Sequence, residues 1–302
     1  MVTSIFRIQL NYLTPRGIVQ GARAVSCYLA DDERTRTERK IMKLMACALV
    51  PLIALAACAG EADREALERA AVRAAGGERL MTPQEEDAVL KFEQDLPTSE
   101  RIGRWARRFA KADDVVYLFG PAEGGYVDEG ALVSDRRQDC VSLLYRVNEL
   151  AHATTHEDAL AWALRTRFAG ADPAAVVGPD GRVDYDDPSH LDYSLDMIRT
   201  GLWGRDVTAD LTGAVPDTVG TPRYEAGSCL YVPKANLTAS ELAEGDVVWF
   251  VLDPSNDGAA KLRDEHGLVI GHIGIVIVEE GSPVLVHAAR SGLEGRYEGG
   301  TV

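Results

Sequence analysis

Residues 271–289 read GHIGIVIVEEGSPVLVHAA and contain two runs of β-branched residues separated by a polar turn. Runs of this kind, bounded by turn residues, are typical of β-strands. They predict strands over residues 268–278 and 283–288, joined as a hairpin around Glu279 to Ser282. Residues 246–252 form a similar run just before them, so we expect consecutive strands of one antiparallel sheet.

The segments before these strands have helical patterns. We predict helices at residues 82–96, 98–112, from 140 onward, 155–168 and 190–203. Helices first and strands later is an α+β order, and it differs from the alternation of a doubly wound parallel sheet. The predicted fold class is therefore α+β.

Cys140 opens one of these helices. The apolar residues Leu143, Leu144 and Val147 recur behind it at helical spacing. Asp139, just before the cysteine, is a good N-cap. A helix N-terminus and a nearby imidazole both lower the pKa of a thiol, so Cys140 is the candidate nucleophile.

Two of the six histidines lie in predicted strands. His272 stands between glycines in the GHIG segment, and His287 lies on the next strand, so a hairpin brings them to one sheet face. His152, His156 and His266 are interpreted as surface residues. Cys140 and His272 are 132 residues apart, within the roughly 130–150 residues seen in papain-like enzymes. A histidine in a strand is more often structural, and that alternative stays open.

Three segments resemble the NlpC/P60 superfamily of cell-wall hydrolases. These are residues 139–144 (DCVSLL), residues 244–250 (EGDVVWF), and the GHIGIV and VHAA segments of the hairpin. The resemblance implies a papain-like fold in which the nucleophile helix packs on a small antiparallel sheet. It also implies a triad with Cys140 as nucleophile, His272 as general base and later acid, and His287 as the residue that orients His272.

Within that superfamily the chain is most similar to the DUF1460 group, also called N-acetylmuramoyl-L-alanine amidase-like. Residues 189–198 (SHLDYSLDMI) and 206–208 (DVT) carry this likeness, although Leu191 and Asp192 interrupt its aromatic pair and Met197 replaces a tryptophan. The implied reaction is cleavage of the N-acetylmuramoyl-L-alanine bond in muropeptides. The same resemblance allows a second reaction, in which an endopeptidase cuts the stem peptide between D-glutamate and the diamino acid. A catalytically inert binding module and an acyltransferase are further alternatives.

Five other residues are candidates for oxyanion or substrate binding: Tyr126, Asp139, His190, Asp196 and Arg137. The resemblance suggests a hydroxyl from Tyr126 and substrate contacts from His190 and Asp196. The alternatives are a packed tyrosine and a solvated helix cap. Arg137 would bind a stem-peptide carboxylate through its guanidinium, or lie in a solvated loop.

Composition limits the partners and cofactors. Acidic residues outnumber basic ones 47 to 32, giving a formal net charge of −15, which argues against a nucleic-acid partner. The sequence has no His, Cys and Glu spacing typical of zinc and no phosphate-binding glycine loop. We therefore expect no cofactor.

Residues 42–58, MKLMACALVPLIALAAC, resemble a lipoprotein signal peptide. Lys43 supplies the positive charge, an apolar run follows, and Leu-Ala-Ala-Cys ends at Cys58. The run is shorter than the about 20 residues that span a bilayer. Acylation of Cys58 would hold an exported protein in the cell envelope, at the periplasmic face of the outer membrane in a Gram-negative organism. The alternative is a buried Ala/Leu-rich helix.

The signal sets the expected domain organisation. Residues 1–41 are predicted to be an upstream extension, 42–58 the signal peptide, 59–80 a spacer and 81–302 the catalytic domain. The family pattern continues past residue 302, so a truncated C-terminus is also expected. Only Cys140 and Cys229 would then remain as unmodified thiols. The alternative to a nucleophilic Cys140 is a structural disulfide between these two cysteines.

Overall fold

The computed structural model describes residues 4–9, 66, 69, 80–113, 115–117, 126–191, 197, 200–217, 220–222, 225–227 and 229–289. These residues belong to one compact unit. Helices and strands are both present, and the fold is α+β as predicted.

Seven α-helices have both of their ends within the described residues. They are α1 (Pro83–Glu93), α2 (Thr98–Lys111), α3 (Tyr126–Glu129), α4 (Cys140–His152), α5 (His156–Arg167), α6 (Pro173–Val176) and α7 (Asp257–His266). Four of them confirm predicted helices, with ends shifted by a few residues. Of the helix predicted over 190–203, only Met197 and Thr200 are described as helical.

Helix α7 was not predicted. Asn256 caps it by accepting hydrogen bonds from Gly258 N at 3.1 Å and Ala259 N at 3.2 Å, and Gly267 ends it with φ 69°. The sequence shows the Asn256 cap and the terminating Gly267. It shows no apolar stripe between them, because the buried residues of this helix are Ala259 and Arg263.

The strands are β1 (Ser4–Gln9), β2 (Val116–Tyr117), β3 (Arg137–Gln138), β4 (Arg205–Asp206), β5 (Val215–Pro216), β6 (Leu230–Pro233), β7 (Asp246–Val251), β8 (Ile270–Glu279) and β9 (Ser282–Val286). The main sheet is seven-stranded with the order β5-β6-β1-β7-β8-β9, and β4 pairs with β1. Strands β7, β8 and β9 are antiparallel neighbours, which confirms the predicted meander.

The hairpin turn lies where the sequence predicts it. Glu279 pairs with Ser282, and the two residues between them, Glu280 and Gly281, have φ 50° and 81°. Two consecutive positive φ values are typical of the two-residue turn that matches the twist of antiparallel strands. The turn therefore fixes the register that places β8 beside β9.

Strand β1 differs from the expectation that residues 1–41 take no part in the fold. It pairs with β7 along its whole length, from Ser4 opposite Val251 to Gln9 opposite Asp246, and it lies between β6 and β7. The expectation arises because this stretch precedes a signal-like segment. That residues 1–41 are an upstream extension stays a prediction.

The main core lies between the sheet and helices α2 and α4. From the sheet it contains Trp249, Ile273 and Ile275. From α2 it contains a stripe of fully buried side chains, Ile102, Trp105 and Phe109, as their spacing predicts. A smaller cluster covers the opposite face of the sheet and includes Val248, Phe250, Val276 and Leu285.

Candidate active site

The hairpin brings His272 and His287 into contact. Ile275 pairs with Val286, and continuing this antiparallel register places His287 opposite Gly274. His272 and Gly274 project from the same face of β8, so the two imidazoles are diagonal neighbours. His272 Nε2 and His287 Nδ1 lie 2.8 Å apart, with the rings at 87° to each other. The predicted pairing of these histidines is thus present in the geometry.

Burial keeps this pair neutral. The residues His272 and His287 are 5% and 2% exposed. Burial, together with the neighbouring His287, lowers the pKa of His272 to about 3, and burial lowers the pKa of His287 to about 4. Near neutral pH, one ring nitrogen of the pair therefore donates a hydrogen bond to the other.

Phe250 packs against His272 and was not singled out from the sequence. It pairs with His272 across β7 and β8, and the ring centroids are 5.6 Å apart. The sequence placed Phe250 in the EGDVVWF strand segment. Its pairing with His272 depends on the register between β7 and β8, which the sequence did not show. Phe250 helps to shield the imidazole from water.

Cys140 is the first residue of α4, as predicted. The Asp139 carboxylate caps the helix and accepts hydrogen bonds from Val141 N at 2.9 Å and from Ser142 N at 2.7 Å. The Ser142 hydroxyl accepts in return from Asp139 N at 2.7 Å, which completes a capping box. Asp139 therefore acts as a helix cap in this structure.

The Cys140 thiol lies beside the strand that carries His272. The N–H groups of Ile273, Cys140 and Val141 interact with the sulfur and act to lower its pKa. Burial, followed by the Asp139 carboxylate, outweighs them and raises the pKa of Cys140 to about 12. The expected lowering of this pKa is wrong for this structure, because the sulfur is largely desolvated and stands next to an anion.

Two adjacent residues of β8, His272 and Ile273, contact the two parts of the site. Ile273 points into the core beneath α4, whereas His272 points to the other face, where Phe250 lies. The backbone of Ile273 joins Cys140 to β8, and a direct bond joins the two histidines. The thiol is therefore one residue along the strand from the imidazole pair.

Tyr126 lies in an aromatic cluster near the nucleophile helix. Its ring meets Tyr145 and Tyr185 edge to face, with centroids 5.6 and 5.3 Å away. Burial, then Tyr145 and Tyr185, raise its pKa, and the Asp139 carboxylate adds to this effect. Tyr126 is thus both packed and close enough to Asp139 to interact electrostatically.

His190 lies at the far end of the same cluster. Its ring centroid is 4.9 Å from that of Tyr185 and 5.4 Å from that of Phe168, with which it also forms an isolated β-bridge. The side chain is half-buried. Through Tyr185 and Tyr126, the cluster extends from His190 toward the start of α4.

Arg137 has a carboxylate partner within the chain. Its guanidinium lies 2.7 Å from Glu129, and its side chain is 36% exposed. This ion pair competes with recognition of a substrate carboxylate. Asp196 and Cys58, the remaining candidates, lie outside the described residues.

The other predicted surface histidines behave differently from one another. His266 is exposed, as predicted, and His152 is half-buried against Trp162. The surface interpretation is wrong for His156, which is 4% exposed. Its Nδ1 lies 3.0 Å from Glu86 Oε1, an interaction across helices that the sequence could not reveal.

A network of buried charges lies behind the nucleophile helix. Arg146 contacts Asp135 at 2.6 Å and Glu86 at 2.7 Å, and Arg167 forms an ion pair with Glu149. The sequence offered one signal, because Arg146 and Glu149 interrupt the apolar stripe of α4. The network itself joins helices that are distant in sequence.

Neither Cys140 nor Cys229 forms a disulfide. Within the described part of the chain, no group of three or more His, Cys, Asp or Glu side chains is arranged to hold a metal ion. In the same part of the chain, no helix combines the length and apolar character needed to cross a bilayer.

Comparison with solved structures finds similarity to an N-acetylmuramoyl-L-alanine amidase from Bacteroides uniformis ATCC 8492, in three crystal structures at 1.07, 1.15 and 1.30 Å resolution. The identities are 18%, 18% and 20%, and the TM-scores are 0.42, 0.40 and 0.38. The matches cover 63–64% of this chain and 85–86% of the other. No family model matches the chain, and no curated protein sequence does.

Proposed function

We propose that this protein is a cysteine amidase of the bacterial cell envelope that hydrolyses the N-acetylmuramoyl-L-alanine bond of muropeptides. The observation that carries the proposal is the 2.8 Å contact between His272 Nε2 and His287 Nδ1, next to the strand residue that touches the Cys140 thiol. The resemblance of the DCVSLL, GHIGIV and VHAA segments to NlpC/P60 enzymes supports it. We propose a papain-like fold for the same reason.

The chemistry assigned to each side chain follows from acyl transfer by cysteine. Cys140 Sγ attacks the muramoyl carbonyl carbon while its proton moves to His272 Nδ1. His272 then protonates the departing L-alanine nitrogen as the C–N bond breaks, which leaves a muramoyl thioester. Water, activated by His272, hydrolyses this thioester and restores the thiol.

His287 orients the base in this scheme. If His272 Nε2–H donates to His287 Nδ1, the tautomer of His272 is fixed with its lone pair on Nδ1. That is the atom that accepts the thiol proton. Phe250, packed against the same ring, limits its rotation.

The resting site is a neutral thiol beside neutral imidazoles. Because the pKa of Cys140 is raised to about 12 and that of His272 is lowered to about 3, a thiolate–imidazolium pair is not the resting state. Proton transfer therefore accompanies the attack. For this step Nδ1 of His272 must reach the thiol, which contacts the backbone of the next residue, Ile273.

The first proposed oxyanion donor is at the start of α4. The Cys140 N–H lies at the positive end of the helix, while the N–H groups of Val141 and Ser142 already donate to Asp139. The hydroxyl of Tyr126, held near Asp139, is the second proposed donor. We propose His190 and Asp196 as substrate contacts. Arg137 is the weaker candidate because Glu129 already neutralises it.

The proposed reaction is tested with a mixture of muropeptides and the full chain, analysed by mass spectrometry. We expect release of intact stem peptide from the sugar, lost in Cys140→Ala and retained in Cys229→Ala, the matched thiol control. Fragments that begin at the diamino acid would instead identify the endopeptidase. Unchanged muropeptides would leave the inert binding module or the acyltransferase.

We also propose that the protein is exported and held in the envelope by acylation of Cys58. The signal-like sequence of residues 42–58 supports this location. Cells that express the chain with a C-terminal tag would be fractionated, and the mature N-terminus determined by mass spectrometry. A diacylglycerol adduct on Cys58, lost in Cys58→Ser, is expected. An unprocessed chain in the soluble fraction would contradict the proposal.

A further inference from the structure

We propose that Arg263 is a positioning residue for His272, on which it acts through Leu252 and a β-bulge at Gly271. The inference rests on the proposed function, in which His272 is the general base. Arg263 belongs to α7, the helix that connects β7 to β8, and it is 1% exposed. A guanidinium is rarely buried unless polar partners satisfy it, and Arg263 has partners at the ends of two strands.

Hydrogen bonds to these strand ends hold the Arg263 guanidinium. Nη2 donates to Asp217 Oδ2 at 3.0 Å, just after β5, and Nη1 donates to the Leu252 carbonyl oxygen at 3.2 Å, just after β7. Asp217 is itself anchored, because its N–H donates to the Cys229 carbonyl at 2.9 Å. Arg263 therefore ties the last turn of α7 to the end of β7.

A β-bulge in β8 lies directly before His272. Phe250 pairs with His272, but the next residue of β7, Val251, pairs with Ile270. Gly271 is thus an extra residue in β8. A bulge bends its strand and increases the local twist, and bulges next to active sites re-aim a side chain. The bulge at Gly271 therefore sets the direction in which the His272 imidazole leaves the strand.

The Leu252 side chain covers this bulge. A Cβ on Gly271 would lie 2.5 Å from Leu252 Cδ2 and 3.1 Å from its Cγ, so the leucine packs this closely only on a glycine. Leu252 is 6% exposed, and its N–H donates to the Val269 carbonyl at 2.9 Å on the far side of the bulge. Its own carbonyl accepts from Arg263. Arg263 thus fixes the residue that packs on the bulge, and the bulge leads directly to His272.

Arg101 of α2 provides a matched control. It is 6% exposed and, like Arg263, it donates to backbone carbonyls, which are those of Leu150 and Ala153 at the far end of α4. Arg263→Met and Arg101→Met each remove one buried guanidinium and keep a long side chain. If Arg263 only stabilises the fold, both variants should lose stability and neither should disturb the histidine pair.

The test is nuclear magnetic resonance of the full chain labelled with ¹⁵N-histidine. The ring N–H shared by His272 and His287 is assigned by its loss in His272→Gln. We expect Arg263→Met to shift or abolish this signal, Arg263→Lys to restore most of it, and Arg101→Met to leave it unchanged. In muropeptide hydrolysis, Arg263→Met should lower kcat by about 10–10²-fold with little change in KM, because a misplaced base weakens only the transition state.

The inference is overturned if folded Arg263→Met keeps the wild-type ring signal, or if Arg101→Met changes the signal equally. If Arg263→Met does not fold, Leu252→Ala removes the side chain that packs on Gly271 and keeps the carbonyl that binds Arg263. The ring signal should then change in Leu252→Ala and persist in Leu164→Ala, which truncates a leucine that is 5% exposed in a separate apolar cluster. An unchanged signal in Leu252→Ala would refute the proposal.

The ring signal is measured without substrate. A wild-type protein that shows the signal but cleaves no muropeptide would therefore refute the proposed function, while the comparison of Arg263→Met with Arg101→Met would still decide whether Arg263 positions His272.

Discussion

Replacing His287 by alanine tests the histidine pair most sharply. The substitution removes the 2.8 Å bond to His272 inside a buried site. Loss of one partner of a buried hydrogen bond costs about 1–3 kcal/mol. For a domain of this size, about 2 kcal/mol corresponds to a decrease in Tm of about 4–8 °C. Because the tautomer of the base is no longer fixed, kcat/KM should fall by about 10²–10⁴-fold.

The assay combines thermal unfolding with muropeptide hydrolysis for three variants. His287→Asn keeps a side chain able to hydrogen-bond to His272 and should recover part of the lost activity. His266→Ala removes an exposed histidine and should match the wild type in both measurements. Full activity in His287→Ala, or a loss no greater than that in His266→Ala, would refute the assignment of His287 as the orienting residue.

Three further changes are predicted. The rate at which iodoacetamide alkylates Cys140, followed by peptide mass spectrometry, should be low at neutral pH. Because the pKa of Cys140 is about 12, this rate should still increase at the highest usable pH. A rate that reaches a plateau below about pH 7 would indicate a preformed thiolate. The folded-state pKa values of His272 and His287, about 3 and about 4, lie below the unfolded value of about 6.5. Their contribution to stability is therefore present above about pH 6.5 and is lost as the pH falls toward 4 and 3. The urea midpoint of unfolding should decrease over this pH range, and it should decrease less in the double variant His272→Gln/His287→Gln. Gly245→Ala should destabilise the fold by about 1–3 kcal/mol in urea titration, because φ is +82° and the new Cβ would lie 2.5 Å from Ser99 O; unchanged stability would contradict this geometry.

The sequence predicted the parts of the site that depend on local patterns. The β-branched runs and the Glu-Glu-Gly-Ser turn specified the hairpin, and the hairpin alone is enough to bring His272 to His287. The cap at Asp139 and the apolar stripe behind it placed Cys140 at the start of α4. Both features follow from the period with which apolar residues recur, about two residues in a strand and about 3.6 in a helix, and this period can be recognised in the sequence.

Properties set by packing between distant segments could not be predicted in this way. The raised pKa of Cys140 depends on how deeply α4 is buried against β8, and a helix N-terminus alone suggests the opposite sign. The burial of His156 depends on Glu86, 70 residues earlier. Helix α7 was missed because a buried arginine, Arg263, occupies the place of an apolar residue in its stripe.

In the proposed mechanism, Cys140 forms a thioester with the muramoyl group, assisted by His272. This intermediate is detected by mixing the full chain with muropeptides, quenching in acid and measuring the intact protein mass. We predict an adduct of one muramoyl-containing sugar fragment, mapped to Cys140, that is absent in Cys140→Ala and strongly reduced in His272→Gln. Hydrolysis that continues in Cys140→Ala, or an adduct mapped to another residue, would contradict the account.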